Sequence, residues 1–327
     1  MPRRIVVLGA SGFIGRRLVD ALSSRDSFRT VAVSRRATQA GWKNGVEAMN
    51  ADVADLSALR AAIAGADAVV NSVAGEPAMI MAVADNLFTA AEAQDPPLKV
   101  VHLGSLAAYG TATGLVDESV PLRGDLDAYS AAKAQSDRLA SRHEFVTTLR
   151  PGIVYGPGSS WWSDRIARLL MTGRLGDLGA QGSGICNLVY VDDVAAAVVS
   201  ALERRDLPQR AFNLSAYGAL TWNEYFKRYA AALSAPPLRP ISSRRLTLET
   251  AFLSPPLKLL ELALRRPAWA RWNPLPPIRP WLPQVCARNI QMDATRAETL
   301  LGMRWTALEA GLALTAAWFR AGGRTAL

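Results

Sequence analysis

Tyr129 and Lys133 have the residue types and the spacing that suit proton transfer. They are four positions apart, so both side chains lie on one face of the predicted helix. A nearby ammonium favours the phenolate, so we expect Lys133 to lower the pKa of Tyr129 from about 10 toward the range useful for acid–base chemistry. Ser105 closes a predicted strand, where its hydroxyl can hydrogen-bond a substrate oxygen. Because Tyr-x-x-x-Lys also occurs by chance in helices, its meaning depends on the elements around it.

A glycine-rich turn near the start of the chain predicts a site for a nucleotide phosphate. An apolar run of strand type, residues 5–8, is joined to a segment of helical spacing by the turn Gly9-Ala10-Ser11-Gly12-Phe13-Ile14-Gly15. Glycine suits this turn because a pyrophosphate can approach the bare backbone and the helix can pack closely on the strand. The first helical N–H groups and the positive end of the helix dipole then face the phosphates. Since strand, turn and helix occur in this order, we interpret the glycines as a cofactor site and not as an ordinary structural turn.

Strand and helix patterns alternate over the first half of the chain, which predicts a parallel sheet covered on both faces. The predicted strands are 5–8, 30–34, 46–50, 68–72, 100–104 and 146–150. The predicted helices are 12–23, 56–64, 78–94 and 128–141. This order is typical of an α/β domain with a doubly wound parallel sheet, the Rossmann fold, and it places Tyr129 and Lys133 on the helix after the fifth strand.

Two arginines after the second predicted strand indicate which nucleotide binds. Arg35 and Arg36 lie where sheets of this kind hold the adenosine ribose. A carboxylate at this position binds a free 2′-hydroxyl, whereas guanidinium groups suit a 2′-phosphate. The sequence therefore predicts NADP(H) in preference to NAD(H), the alternative being a solvated arginine pair. Asp52 and Val53, after the third strand, are placed to bond an adenine amino group, although aspartate is also a common turn residue.

The pattern changes after Pro151, where a second region is predicted. Its features are a loop at 156–162, a helix at 164–171, a glycine-rich stretch at 173–184, a strand at 188–191 and a helix at 194–202. We interpret Asp192 and Asp193, like Asp125 and Asp127 earlier in the chain, as helix caps. We predict a dinucleotide-binding domain of residues 1–155 and 188–214, and a smaller, discontinuous substrate-binding region of residues 156–187 and 215–327.

Composition limits the class of protein. The 327 residues are half hydrophobic and one fifth charged, which is typical of a globular protein, and the net charge is +9. Cys186 and Cys286 are far apart and the two histidines are isolated, which argues against a disulfide scaffold and against a metal site. The basic residues are scattered without interleaved aromatics, so we expect an anionic cofactor or substrate and no nucleic acid. Because no apolar stretch reaches about 18 residues, we expect no membrane span and a cytoplasmic location.

Five motifs together resemble the extended short-chain dehydrogenases/reductases, the superfamily that includes nucleotide-sugar epimerases and dehydratases. The motifs are Gly9-x-x-Gly12-x-x-Gly15, Ser105 before Ala108-Tyr109-Gly110, Tyr129-x-x-x-Lys133, the run 149–158 and the run 189–195. The resemblance implies that Tyr129 is the acid/base, that Lys133 binds the nicotinamide ribose and tunes Tyr129, and that Ser105 orients the reacting carbonyl or alcohol. It also implies that the backbone of residues 11–14 meets the pyrophosphate. The nicotinamide side is then lined by residues after the fourth and sixth strands, which are Val73, Ala74, Pro151 and Ile153.

Ile153 departs from the pattern of one branch of this superfamily. Nucleotide-sugar epimerases typically have an asparagine three positions after the arginine that matches Arg150, and it meets the substrate diphosphate. An isoleucine cannot bond a phosphate, and the run 149–158 looks more like 3β-hydroxysteroid dehydrogenases and related ketone reductases. We interpret the large apolar residues of the second region first as core residues, and they would also suit an apolar pocket or a lid that touches a membrane surface beside Arg265, Arg266 and Arg271. These residues are Trp161, Trp162, Phe252, Leu253, the run 257–264, Trp269, Trp272 and Trp281.

Three functions stay open at this point. The leading prediction is an NADP(H)-dependent oxidoreductase that transfers hydride to or from a carbonyl or secondary alcohol, with a small apolar ketone or alcohol as substrate. The alternative is a nucleotide-sugar epimerase or dehydratase, in which the cofactor is oxidised and reduced again within one cycle. The third is a non-catalytic NADP-sensing regulator on the same fold. The resemblance also suggests a homodimer formed through helices 78–94 and 128–141.

Overall fold

The structure is a computed structural model that describes residues 1–323 except positions 44, 205, 254, 258 and 260–277. The chain forms two compact units. The first consists of residues 1–154, 189–216 and 292–305, and the second of residues 155–188, 217–291 and 306–327. The sequence placed every residue after 214 in the second region, whereas the structure returns residues 292–305 to the first unit.

Seven of the described strands form one parallel sheet in the first unit. The strands in chain order are β1 (Arg3–Leu8), β2 (Phe28–Ser34), β3 (Glu47–Asn50), β4 (Ala68–Asn71), β5 (Lys99–Leu103), β6 (Gly114–Val116), β7 (Val146–Pro151), β8 (Ile153–Tyr155), β9 (Leu188–Tyr190), β10 (Ala211–Leu214) and β11 (Ile290–Met292). The order in the sheet is β10-β7-β5-β4-β1-β2-β3, and each neighbouring pair is parallel. The predicted doubly wound parallel sheet is confirmed, and β10 is a seventh strand that was not predicted.

The strand order reverses beside β1, which is the position where ligands bind in open α/β sheets. The chain runs outward from β1 through β2 and β3, then returns to β4 on the other side of β1. Val7 of β1 pairs with Ala32 of β2 and with Val70 of β4. The connections on the two sides leave a crevice outside the carboxyl ends of these strands. The glycine turn that follows β1 therefore lies at the topological switch point.

Helices cover both faces of the sheet. The described helices of both units are, in chain order, α1 (Phe13–Ser23), α2 (Leu56–Ile63), α3 (Pro77–Glu92), α4 (Ala128–Ala140), α5 (Arg165–Met171), α6 (Val191–Glu203), α7 (Trp222–Leu233), α8 (Ser243–Leu248), α9 (Trp281–Cys286), α10 (Thr295–Leu300) and α11 (Leu308–Arg320). Strand β1 shows why both faces are covered, because Ile5 and Val7 pack with α1 and α6, whereas Val6 and Leu8 pack with α2 and α3. All four are fully buried, and burial of such a side chain contributes about 1.5–3 kcal/mol.

Several local predictions differ from the structure. Asp192 and Asp193 lie in the first turn of α6, which begins at Val191 directly after β9, so neither is its cap. Asp127 does cap α4, by accepting from the Ser130 N–H, but Asp125 instead accepts from the N–H and the hydroxyl of Thr111. The predicted loop 156–162 ends early, because a helical turn over 160–164 begins after Ser159, whose hydroxyl accepts from the Trp162 N–H.

Helices α3 and α4 pack against each other. The homodimer proposed for these two helices stays a prediction.

An aromatic core organises the second unit. The ring of Trp162 lies 5.3 Å from that of Trp222 on α7 and 5.5 Å from that of Trp281 on α9. Trp161 is 45% exposed, and the guanidinium of Arg165 lies over its ring. Positions 260–264, Trp269, Trp272 and the arginines at 265, 266 and 271 lie outside the described residues. Trp162 is therefore half-buried within this aromatic cluster, and an apolar substrate pocket in this unit stays a prediction.

No helix in the described part of the chain is long and apolar enough to cross a membrane.

Candidate active site

The glycine turn between β1 and α1 has the close packing that was predicted from its sequence. Gly9 has a φ of +75°, and a Cβ on it would lie 3.0 Å from the carbonyl carbon of Ser72, just after β4. A Cβ on Gly15 would lie 2.2 Å from the carbonyl oxygen of Gly9. Both positions require glycine, because side chains there would separate α1 from the turn and β1 from the loop after β4.

The start of α1 has the polarity of an anion site. Gly12 occupies the N-cap position and offers no side-chain acceptor to the first helical N–H groups, and the first turn holds no acidic residue. The helix has 11 residues, enough for its dipole to place partial positive charge at this end. Ser11 and Gly12 are exposed, and Phe13 and Ile14 are half-buried. The turn therefore presents accessible backbone N–H groups that suit a pyrophosphate.

Arg35 and Arg36 follow β2, and their charged side chains are exposed to solvent. In the part of the chain that the structure describes, neither guanidinium forms a hydrogen bond or an ion pair. Asp52, after β3, is also exposed and its carboxylate accepts from the Ala54 N–H at 3.2 Å, which is the behaviour of a turn residue. Val53 is buried and packs with α2 and α3. The two arginines are therefore free to bind an anion, and the adenine contact of Asp52 and Val53 stays a prediction.

Ser105 and Tyr129 are brought together by the connection between β5 and α4. Ser105 caps a short helical turn, 106–109, by accepting from the Ala107 N–H at 3.1 Å. The Ser130 hydroxyl donates to the Ala107 carbonyl at 2.7 Å, which fastens the start of α4 to the same turn. Tyr129, next to Ser130, makes a side-chain hydrogen bond with Ser105. The catalytic roles of the two hydroxyls stay a prediction.

The pKa of Tyr129 differs from the sequence prediction. Burial of the hydroxyl raises the pKa, although the residue as a whole is 37% exposed, and the carboxylates of Asp127 and Asp137 raise it further. The hydrogen bond with Ser105 opposes this rise. The prediction that Lys133 lowers the pKa of Tyr129 is therefore wrong for this structure. The ammonium instead donates to the Leu103 carbonyl at the end of β5, at 2.8 Å.

Lys133 is a buried cation. The residue is 2% exposed, and burial lowers the pKa of its ammonium to about 8, against the attraction of Asp137, which raises it. Asp137 lies one helical turn further along α4, so the two side chains share a face. The surroundings of Lys133 therefore bring the pKa of its ammonium close to neutral pH.

The remaining predicted residues lie at or near the carboxyl edge of the sheet. Val73 and Ala74 follow β4, Val73 half-buried and Ala74 exposed. Pro151 is the buried last residue of β7 and does not follow it as predicted, and Ile153 is half-buried in β8. The contacts of these four with a nicotinamide stay a prediction.

Sequence reasoning missed a set of buried polar residues behind Lys133. They are Asn71 on β4, His102 on β5, Asp137 on α4 and Arg150 on β7, with Tyr109 beside them. The one signal in the sequence was the spacing of Asp137, four positions after Lys133. The other residues lie far apart along the chain, so their proximity depends on the sheet.

Comparison with known proteins agrees with this geometry. The model of the NAD-dependent epimerase/dehydratase family matches residues 5–215. This chain belongs to that family. It is therefore an NAD(P)-dependent enzyme of the short-chain dehydrogenase/reductase superfamily, as the sequence motifs predicted.

Individual relatives of this family member point to more than one activity. A curated relative, the 3-diazoavenalumate denitrifying reductase of Streptomyces sp, is 28% identical over 261 residues, which cover 73% of this chain and 84% of that protein. The Bordetella bronchiseptica enzyme WbmH in complex with NAD⁺ has a TM-score of 0.75 at 16% identity, over 99% of this chain and 100% of that chain. The UDP-glucuronic acid 4-epimerase from Bacillus cereus in complex with NAD has a TM-score of 0.73 at 18% identity, over 98% and 100%. At such identities the two structures establish the fold alone.

Proposed function

We propose that this protein is an NADP(H)-dependent oxidoreductase that exchanges a hydride and a proton with a carbonyl or secondary alcohol, with Tyr129 as the acid/base. The observation that carries the proposal is the pairing of the Tyr129 and Ser105 hydroxyls at the carboxyl edge of the sheet, above the buried ammonium of Lys133. A relative whose name is that of a reductase supports net redox chemistry.

The residues of the first unit fit a nicotinamide dinucleotide. The turn 9–15 excludes side chains at Gly9 and Gly15 and leads into a helix whose first N–H groups have no side-chain cap, which suits a pyrophosphate. Arg35 and Arg36 suit a 2′-phosphate, Asp52 and Val53 the adenine, and Val73, Ala74, Pro151 and Ile153 the nicotinamide end. When bound, the cofactor supplies the hydride chemistry, whereas the protein supplies placement and proton transfer.

Each catalytic side chain has a separate part in this proposal. Tyr129 gives a proton to the substrate oxygen during reduction or takes it during oxidation. Ser105 donates a hydrogen bond to the same oxygen and fixes its position. Lys133 contributes positive charge beneath the site and binds the nicotinamide ribose. Burial raises the pKa of Tyr129, so the hydroxyl carries its proton at neutral pH.

A nucleotide-sugar epimerase is the second candidate, and the structural likeness to a UDP-glucuronic acid 4-epimerase favours it. Ile153 argues against it, because it offers no hydrogen bond to a substrate diphosphate at the position where such epimerases have asparagine. The two candidates share Ser105, Tyr129 and Lys133 and differ in whether the cofactor is consumed.

A turnover assay separates the two candidates. We expect the purified protein to oxidise added NADPH, followed by the loss of its nicotinamide absorbance, when a panel of apolar ketones is supplied. UDP-glucose and UDP-glucuronic acid should leave the absorbance unchanged and should be recovered without inversion at any carbon. Retention of tightly bound cofactor through purification, with conversion of a UDP-sugar and no net change in absorbance, would establish the epimerase instead.

The cofactor preference depends on Arg35 and Arg36. We expect the double variant Arg35→Ala/Arg36→Ala to bind NADPH about 10- to 100-fold more weakly, because charge-assisted hydrogen bonding worth about 1.5–3 kcal/mol in total is lost. NADH affinity should stay within about twofold, since no 2′-phosphate is involved. Fluorescence titration of the apoprotein with both nucleotides measures the change.

Arg29→Ala is the matched control for this experiment. Arg29 lies on the same strand, β2, and its guanidinium is exposed and paired with Glu47. Its removal should alter neither affinity. Equal affinity of the unaltered protein for NADH and NADPH, or an unchanged preference in the double variant, would contradict the NADP(H) assignment.

A further inference from the structure

The first unit buries polar side chains that the proposed chemistry leaves unused. Asn71, His102, Asp137 and Arg150 are each at most 6% exposed and lie directly behind Lys133 on strands β4, β5 and β7 and on helix α4. Burial of polar and charged groups is costly unless they are paired. Their arrangement therefore has to be explained.

The carboxylate of Asp137 lies at the centre of this set. One oxygen, Oδ2, accepts from Nε of Arg150 at 2.9 Å. The other, Oδ1, lies 3.6 Å from Nε2 of His102 and has no hydrogen-bond partner within the described residues. A Cβ on Gly104 would lie 2.7 Å from both oxygens. The residue before Ser105 is glycine here because the carboxylate occupies the space that a side chain would need.

The hydrogen bonds fix the direction in which His102 presents its proton. The Val73 N–H donates to Oδ1 of Asn71 at 3.1 Å, so the amide nitrogen of Asn71 faces the histidine. That nitrogen donates to Nδ1 of His102 at 3.2 Å. The ring proton therefore lies on Nε2, the atom that faces Asp137. Burial lowers the pKa of His102 to about 3, so the imidazole is neutral.

Charged and polar side chains from several neighbouring elements surround Asp137. Arg150 bonds it directly, and the Arg150 guanidinium in turn donates to the Tyr109 hydroxyl at 3.0 Å. Tyr109 donates onward to Oδ1 of Asn213 at 2.7 Å, and the half-buried Glu118 accepts from the Asn213 N–H. On the opposite side, Lys133 is one helical turn away on α4. Asp137 is thus ion-paired with Arg150 and lies on the same face of α4 as Lys133, whose ammonium it attracts.

We propose that Asp137 is a positioning residue for Lys133: its carboxylate, paired with Arg150, supplies the negative charge on the face of α4 that carries Lys133, and His102, oriented by Asn71 and Val73, faces its other oxygen at 3.6 Å. The importance of this for turnover rests on the proposed function, whereas the charge state of Lys133 does not. Asp137 touches no reacting atom and acts only through Lys133. It raises the pKa of Lys133 against the lowering caused by burial.

The pKa of Lys133 is the direct test. The chain has five lysines, so the protein labelled with ¹³Cε-lysine gives few NMR signals, and the Lys133→Arg variant identifies the one from Lys133. We expect Asp137→Asn to lower the pKa of Lys133 by at least about one pH unit, because the attraction of a nearby carboxylate is lost. A shift of less than about 0.3 unit would overturn the proposal, since a merely structural role does not move this value.

Lys99 is the matched control. Burial lowers its pKa to about 8 as well, but the charges that act on it are those of Arg3 and Arg210, not Asp137. Its titration should be the same in both proteins. A parallel shift of Lys99 would show a general change of structure and would count against a specific action of Asp137.

A second variant covers the case in which Asp137→Asn fails to fold because it leaves Arg150 buried without its partner. Asp137→Asn/Arg150→Gln removes both members of the ion pair, and the pKa of Lys133 should again be at least about one pH unit lower.

The ¹⁵N shifts of labelled histidine report the tautomer of His102, which we expect to be Nε2–H. Observation of the Nδ1–H tautomer would contradict the described hydrogen bonds from Val73 to Asn71 and from Asn71 to His102. If these shifts are observed while no ketone is reduced, the positioning role stands and the proposed function fails.

Discussion

Replacing Tyr129 with phenylalanine is expected to lower turnover by about 10²- to 10⁴-fold, the usual contribution of a positioned acid or base. The substitution removes the hydroxyl that the Ser105 side chain holds at the carboxyl edge of the sheet. The ring stays, and because 37% of the residue is exposed the loss of the hydroxyl should cost little stability. NADPH affinity should stay within about twofold, because most of the proposed cofactor contacts lie on the glycine turn and after β2.

Steady-state turnover and NADPH fluorescence titration, on the same preparation, test this expectation. Tyr217→Phe is the control, because the Tyr217 hydroxyl bonds the Tyr155 hydroxyl and the Thr306 carbonyl within the second unit and has no part in the proposed chemistry. It should retain turnover. Unchanged turnover in Tyr129→Phe would reject Tyr129 as the acid/base in both enzymatic candidates. If a cofactor-dependent function in the cell survived the substitution, a non-catalytic, NADP-sensing regulator would be favoured.

Gly15→Ala is expected to destabilise the protein by about 3 kcal/mol, the range of severe overpacking. The new Cβ would lie 2.2 Å from the Gly9 oxygen and 2.9 Å from the Ala10 Cα. The turn cannot move away easily, because Gly9 is itself packed against the backbone of Ser72 at 3.0 Å. If the chain folds, displacement of α1 should also weaken NADPH binding by at least about tenfold, since the helix N-terminus and the turn no longer face the phosphates together.

Gly12→Ala gives a graded comparison within the same turn. Its Cβ would meet the same Gly9 oxygen at 3.2 Å, and the backbone of Gly12, with a φ of −72°, accepts any residue. We expect it to cost about 1 kcal/mol, chiefly for a poorer helix cap. Urea unfolding and cofactor titration of the two variants provide the measurements. Equal stability of Gly15→Ala and the unaltered protein would show that α1 does not pack on the turn as described.

The sequence determined the features whose signals are local. The strand, glycine turn and helix at the start of the chain follow one another within a few residues, so their apolar spacing and their glycines are sufficient to predict them. The same holds for six strands of the sheet and for the shared face of Tyr129 and Lys133 on α4. The seventh strand, β10, was not predicted, and it pairs with β7, a parallel partner that lies far from it in the chain.

Only the tertiary structure decided the electrostatics of the candidate site. The sequence predicted that Lys133 lowers the pKa of Tyr129, but burial raises the pKa of Tyr129, and the Lys133 ammonium instead bonds the carbonyl at the end of β5. Likewise, Asn71, His102 and Arg150 surround Asp137 only because β4, β5 and β7 are neighbours in the sheet. Desolvation and charge–charge energies depend on distance and burial, which are set by residues far apart in the chain. The sequence alone therefore predicted the elements that carry the candidate residues, whereas the fold determined their burial, their partners and the buried polar residues behind Lys133.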